Sequence, residues 1–432
     1  MEQTMDVLFK SAHIIDPTMG IDAVMDIRIE KGVITAIGEQ LGGNGRRIDL
    51  HGALVFPGFM DMHVHAREPG FEYKETIATC VAAAMAGGFT AILTMPNTEP
   101  PVDDAAVVRF ISQQGRQALG GIVDVYPAAA VTKGRKGTTL APFAELHDAG
   151  ALAFTDDGNP VASAEILRRA LEYVKMFDGL IIQHCEDETL SRGGVMHEGK
   201  ISTQLGLPGI PGIAEEACLV RDLRIVEFVG GRYHAQHLSS GGSVDILREA
   251  KRRGLAVTAE VTPHHLALTD ESILTFDTNA KVNPPLRSRD DMIALREGLR
   301  DGFIDVIATD HAPHTFDEKE VEFIAAPFGM VGLETALGVV ITEVVNSGYL
   351  PLPKLAEVFS VNPRKILRLP IVKIANGEKA NLTIVDPTLA WKVEPSLLRS
   401  KSKNTPFANR ILIGKPIGIY NNGKMFLAPE VH

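Results

Sequence analysis

The chain has 432 residues, 45% of them hydrophobic and 22% charged, a composition that fits a folded globular protein and excludes a disordered or collagen-like one. With 43 basic against 54 acidic side chains the net charge is −11, which argues against nucleic acid or an anionic membrane as the main partner. Cys80, Cys185 and Cys218 are far apart and form no CxxC, so no disulfide framework is expected and a reducing cytoplasm fits.

The opening "MEQTMDVLFKSAHIID" has no basic segment followed by an apolar core, so it does not read as a secretory signal. No apolar run is long enough to cross a bilayer, and the expected location is the cytoplasm. Residues 1–57 read as short strands and turns, with alternation over residues 26–30 and glycine between the runs. The same texture returns over residues 366–432, where "NNG" marks a hairpin turn. These two ends are expected to form one small composite β-sandwich domain.

Residues 58–365 alternate apolar strand-like runs with helical ones, the pattern of a parallel α/β architecture. The eight strand candidates are "FMDMHVHA", "FTAILTMP", "VDVYPAAAV", "ALAFTDDG", "GLIIQHCED", "RYHAQHLSS", "LAVTAEVTPHH" and "DVIATDHAPH". Helical stretches between them include "YKETIATCVAAAMAGG", "SAEILRRALEYVKMF", "AEEACLVRDLRIVEFV" and "SVDILREAKRRG". Eight such units predict a (β/α)8 TIM-type barrel. The alternative, a doubly wound open sheet, lacks the GxGxxG turn of a dinucleotide site.

In such a barrel the chemistry stands where strands end. The first strand ends in His63, His65 and Arg67, the second in Asn97, and the fourth in Asp156 and Asp157. His184 ends the fifth, His237 the sixth, and Asp310, His311 and His314 the eighth. Nitrogen and carboxylate donors without thiolate suit a hydrolytic zinc site that keeps a position open for water. Asp156 or Asp157 could bridge two ions.

The segments "GFMDMHVHAREPG", "TMPNTEPP", "AFTDDG", "HCED", "KVNPPLR" and "ATDHAPH…APFGMVGLET" resemble the amidohydrolase superfamily, and within it the bacterial class I dihydroorotases, over nearly the whole chain. The resemblance implies a zinc-dependent cyclic amidase that interconverts (S)-dihydroorotate and N-carbamoyl-L-aspartate in pyrimidine synthesis. It implies His63, His65 and Asp310 on one zinc, His184 and His237 on a second, and Asp157 as the bridge by its spacing from His184. Asp156 is then expected to bond nearby backbone. One or two Zn2+ ions are expected, because relatives vary in how fully the second position is filled.

The same resemblance assigns Arg67 and Asn97 to the substrate carboxylate. It assigns Asn283 and His314 to the ring or carboxylate, the backbone near Phe328 and Gly329 to the ring edge, and His65 to substrate as well as metal. Asp310 is the expected catalytic residue, taking the proton of the attacking water and handing it to the departing ring nitrogen. Hydantoinases and allantoinases use a carboxylated lysine on the fourth strand, whereas "GALAFTDDG" has none. Such a cyclic amidase, or a silent scaffold for aspartate transcarbamoylase, is the alternative. The expected partner is the small-molecule substrate, with a homodimer and possible association with aspartate transcarbamoylase.

Other conspicuous residues are expected to be structural. His264 and His265 should serve packing, His234 should face away from His237, and Cys185 should be an inert buried thiol. His13, His51, His147, His197 and His432 read as surface or packing residues, Met60 and Met62 as core, and residues 317–322 as a solvated insertion.

Overall fold

A computed structural model describes residues 6–43 and 45–429, so His432 and residues 1–5 of the opening segment lie outside the described residues. In chain order the strands are β1 (Val7–Asp16), β2 (Ile21–Glu30), β3 (Val33–Gly38), β4 (Arg46–Asp49), β5 (Leu54–Pro57), β6 (Phe59–Val64), β7 (Phe89–Thr94), β8 (Asp124–Pro127) and β9 (Leu180–Gln183). Then come β10 (Met196–His197), β11 (Gly209–Ile210), β12 (Arg232–Ala235), β13 (Val257–Val261), β14 (Val306–Ile307), β15 (Leu382–Lys392), β16 (Ile411–Asn421) and β17 (Lys424–Leu427). With the helices between them the architecture is mixed α/β.

The two ends of the chain meet in one eight-stranded sheet, ordered β17-β16-β15-β5-β1-β2-β3 with β4 on β1. The joint is β15 on β5, antiparallel, from Leu382 opposite Pro57 to Val385 opposite Leu54. Alternation sets one face inward: Phe9, Ile14, Ile27, Ile29, Val55, Leu382, Ile384 and Tyr420 form a buried cluster. Each such side chain contributes about 1.5–3 kcal/mol on burial. Asn422 and Gly423, both with positive φ, turn β16 into β17 where "NNG" predicts a hairpin.

The remaining long pairings are parallel and return on themselves. β6 pairs with β7 and β7 with β8; Phe154 then bridges Ala129 to Ile181 of β9. β9 continues to β12, β13 and β14, and His311 pairs back onto Val64 at the end of β6. Inside lie Met60, Met62, Leu93, Met95, Ala128, Ala153, Leu180, Ile182, Val306 and Ala308, so both expected core methionines are core. Helices pack outside, and their starts are written in the sequence. Thr76 caps Ile77–Ala86, Ser163 caps Ala164–Val174, Ser240 caps Gly241–Arg252 and Ser288 caps Arg289–Arg300.

Two expectations change. The fourth strand shrinks to a single paired residue, Phe154, because the chain turns away at once to present Thr155, Asp156 and Asp157. Residues 317–322 are not simply a solvated insertion. Thr315 and Glu318 cap a short helix, Phe316–Lys319, and the buried Lys319 Nζ donates to Thr278 O (3.0 Å) and Pro327 O (2.7 Å). Among the described residues, no helix is long and apolar enough to cross a membrane.

Candidate active site

At the ends of the parallel strands a cavity of about 240 Å3 is lined by His65, Arg67, Asn97, Asp157, Gly158, His184, His237, Asn283, Asp310, Ala312, His314, Phe328 and Gly329. His63 lies directly behind it, fully buried. Residues far apart along the chain therefore converge on one space. A register shift between Asp61 and Val64 lets β6 keep Met60 and Met62 in the core and still turn His63 and His65 to the cavity. Arg67, His237 and Asp310 hold φ values of 62°, 29° and 48°, a left-handed backbone that costs a non-glycine residue about 1–3 kcal/mol and clusters at functional sites.

The donor atoms fall into two groups that share one carboxylate. Asp157 Oδ2 is 3.4 Å from His63 Nε2 and 3.5 Å from His65 Nε2, while Asp310 Oδ1 is 3.4 Å and 3.0 Å from the same nitrogens. Asp157 Oδ1 is 3.6 Å from His237 Nε2 and 3.9 Å from His184 Nδ1, and those two nitrogens are 2.8 Å apart. The His63 and His237 rings lie 5.2 Å apart. His63, His65 and Asp157 can hold one ion, and Asp157, His184 and His237 another. His63 Nε2 in the first group and Asp157 Oδ1 in the second are buried with no hydrogen-bond partner, an expensive arrangement that a divalent cation in each group satisfies. The residues fit a metal.

Carboxylates dominate the electrostatics. Burial alone would depress the His63 imidazolium, yet Asp157, Asp310 and Glu260 hold it well above the ordinary value. Burial would raise Asp310, but His63 and His65 hold that carboxyl below the usual range and so ionised. Burial lowers His65 below the ordinary imidazole value, and its bond to Asp310 only partly offsets this.

Far ring nitrogens are braced. Glu260 Oε1 on β13 is 2.6 Å from His63 Nδ1, Asn97 Oδ1 is 2.8 Å from His65 Nδ1, and Glu186 Oε2 is 2.7 Å from His184 Nε2. Such acceptors fix which nitrogen faces the metal. The sequence reading missed both glutamates. A lone carboxylate inside the apolar run "LAVTAEV" was the available signal for Glu260, and "HCED" itself contains Glu186. His234 is a satisfied buried histidine, but its Nε2 shares Glu260, at 3.1 Å from Oε2.

The other predicted residues line the same cavity. Arg67 Nε donates to Pro313 O (3.2 Å), and its terminal nitrogen lies 3.4 Å from His314 Nε2. Burial presses its pKa down to about 10. Burial, then Arg67 and Lys74, takes His314 down to about 3, so the ring is neutral. Asn283 Nδ2 donates to Glu186 at 2.8 Å. Gly329 N–H is spent on Lys281 O and its carbonyl on Asn404 Nδ2. At φ 133° a Cβ there would stand 2.8 Å from Ala312 Cβ and 3.1 Å from His314 Cδ2, so glycine lets the loop close over the cavity.

Residues set aside as structural, His264 apart, lie elsewhere or are bonded. Asp156 accepts from the Val131 and Thr132 N–H groups (2.9 and 3.0 Å), holding the neighbouring loop rather than a metal. His265 bridges Thr262 and Pro284 O, while His264 Nε2 is buried without a partner. Cys185 is buried against Tyr233 Oη at 3.3 Å.

Residues 52–243 match the family model described as dihydro-orotase-like. The chain is 50% identical over 428 residues to the dihydroorotase of Pelotomaculum thermopropionicum, covering 99% of this chain and 100% of that one. It is 49% identical over 424 residues to that of Syntrophus aciditrophicus, covering 98% and 99%. Among solved structures it is similar to the L-hydantoinase of Arthrobacter aurescens, with a TM-score of 0.86, 26% identity, and coverage of 98% and 96%. The dihydropyrimidinase of Brevibacillus agri shares the fold at a TM-score of 0.83 and 20% identity, covering 98% and 95%. Converging donor groups and full-length likeness lead to one conclusion: the chain belongs to the dihydroorotase family, within the amidohydrolase superfamily, and is a cyclic amidohydrolase.

Proposed function

We propose that this chain is a class I dihydroorotase that opens the ring of (S)-dihydroorotate to N-carbamoyl-L-aspartate and closes it again for pyrimidine synthesis. The observation that carries the reading is that two donor groups joined by Asp157 share a cavity with the Arg67 guanidinium, whose described hydrogen bonds reach only a carbonyl and an imidazole. A substrate suited to it has a scissile amide and, beside it, a carboxylate. The curated relatives at about 50% identity support the same substrate.

The architecture we infer is a (β/α)8 TIM-type barrel over residues 58–365, with a composite β-sandwich from residues 1–57 and 366–432. The closing parallel pairings and the sheet shared by both ends support it. His63, His65 and Asp310 would hold one Zn2+, and His184 and His237 a second, bridged by Asp157. When bound, zinc supplies Lewis acidity and makes water available as a nucleophile near neutral pH.

The protein does the rest. Arg67 and the Asn97 amide grip the substrate carboxylate, a charge-assisted contact that fixes the ring's orientation. Asn283 and neutral His314 hold the ring, and Phe328 and Gly329 border its edge. As the water oxygen bonds to the amide carbon and the C–N bond breaks, Asp310 takes the water proton and delivers it to the ring nitrogen. Closure begins with Asp310 protonated, so that direction gains as pH falls. The homodimer, association with aspartate transcarbamoylase and cytoplasmic location rest on family resemblance.

A second reading, a hydantoin-type cyclic amidase, draws on the structural likeness to hydantoinases. An uncharged ring would leave Arg67 without a counter-ion, and the fourth strand end carries Asp157 and no lysine. A silent scaffold is disfavoured by the complete donor set. Purified protein assayed on dihydroorotate and on hydantoin separates these readings. Turnover of dihydroorotate, lost in Asp310→Asn, is expected; activity on hydantoin alone would replace the proposal.

A further inference from the structure

At the opposite end of the parallel strands, where β7 and β8 begin, a second cavity of about 640 Å3 lies between those strands and the terminal sheet. Ligand pockets fall in this size range. Arg364 lines it from the short helix Asn362–Ile366 and is itself buried, at 4% exposure. Its described hydrogen bonds all go to neutral groups. One terminal nitrogen donates to Gly58 O (2.7 Å), Ser360 O (3.3 Å) and Ser360 Oγ (3.1 Å), and the other to Thr90 Oγ1 (3.5 Å). Asp124 on the same wall does not neutralise it at contact, because its carboxylate is held by the Asn421 and Asn422 amides at 3.2 and 3.0 Å.

A buried guanidinium without a contacting carboxylate is costly, and burial presses the Arg364 pKa down to about 10. An anion arriving in the cavity relieves that cost. One further feature matches such a visitor. The exposed side chains of Lys31, Lys373 and Lys379 stand on the cavity's lining and favour the approach of negative charge. None of these residues belongs to the site described above.

We infer that this cavity binds a small organic oxyanion, seated on Arg364. The ligand's anionic group is a phosphate or a carboxylate, both of which match the guanidinium fork. Thermal unfolding of the full chain with inorganic phosphate in one series and succinate in the other tests this. Because the first cavity also attracts carboxylates, each series is repeated on Arg67→Gln and Arg364→Met.

A rise in melting temperature of about 1–3 °C at ten times the Kd is expected in the native chain and in Arg67→Gln, and none in Arg364→Met. A shift with phosphate alone identifies a phosphate ligand, and a shift with succinate alone a carboxylate. No shift with either probe, or an equal shift in Arg364→Met, overturns the inference. Should Arg364→Met fail to fold, the exposed triple change Lys31→Ala, Lys373→Ala, Lys379→Ala replaces it. A several-fold weaker Kd at low salt is then expected, and an unchanged Kd overturns the inference.

Discussion

The two donor groups around Asp157 are built differently. In the first, the far nitrogens of both histidines are held: His63 by Glu260, a strand residue 1% exposed, and His65 by Asn97. In the second, His184 leans on Glu186, which sits beyond β9 with its side chain 14% exposed and is also tied to Asn283. The first group thus has one brace within a strand, Glu260, and one in the loop after β7, Asn97, whereas the brace of the second is a loop residue tied to Asn283. A site held by strands keeps its geometry without ligand; one held by a loop responds to what enters the cavity. The second position should accordingly be the weaker and more variable in occupancy.

The hardest blow to the first group is Asp310→Asn, which keeps its shape but removes the proposed proton acceptor. Turnover of dihydroorotate should fall by about 10²–10⁴-fold, with the fold unchanged by circular dichroism. A loss under tenfold would take Asp310 out of proton transfer. Arg67→Gln comes next. Removing the charge-assisted grip should cost about 10–100-fold in kcat/KM for dihydroorotate, measured by steady-state kinetics, with metal content unaffected.

The comparison itself is sharpened by Glu260→Gln against Glu186→Gln. Loss of such a brace weakens metal binding about 10–100-fold. Competition with a chelator should show tightly held metal loosened by Glu260→Gln, and only the more weakly held fraction affected by Glu186→Gln. Equal effects would erase the distinction between the strand brace and the loop brace.

The smallest effect is on stability. His314 is held near a pKa of about 3 against about 6.5 in an unfolded chain. Between those values the unfolded chain binds a proton that the folded one refuses, so stability present at neutral pH is lost as pH falls from about 6.5 toward 3. Urea midpoints of the metal-depleted protein should show His314→Asn losing less across that window than the native chain does. Identical slopes would mean that His314 is not held neutral by its surroundings.

Much of this was legible in the sequence. The strand pattern, the hairpin at Asn422 and Gly423, and the histidines and aspartates at strand ends follow from short-range rules of periodicity and turn chemistry. Convergence on one cavity was an inference from barrel geometry, and the donor distances agree with it. Less accessible were Glu260 and Glu186, because what makes them important is the ring nitrogen each one meets across the ring of strands or in the loop that follows. Lys319 was hidden for the same reason: its partners, Thr278 O and Pro327 O, are backbone atoms that no sequence pattern marks. The shortened fourth strand escaped because an apolar run carries no sign of where its pairing stops.

The most direct test is anomalous diffraction from crystals of zinc-loaded protein. The account predicts a strong peak among His63, His65, Asp157 and Asp310, and a second, equal or weaker, among Asp157, His184 and His237. Zinc bound only elsewhere, or a second peak stronger than the first, would contradict it.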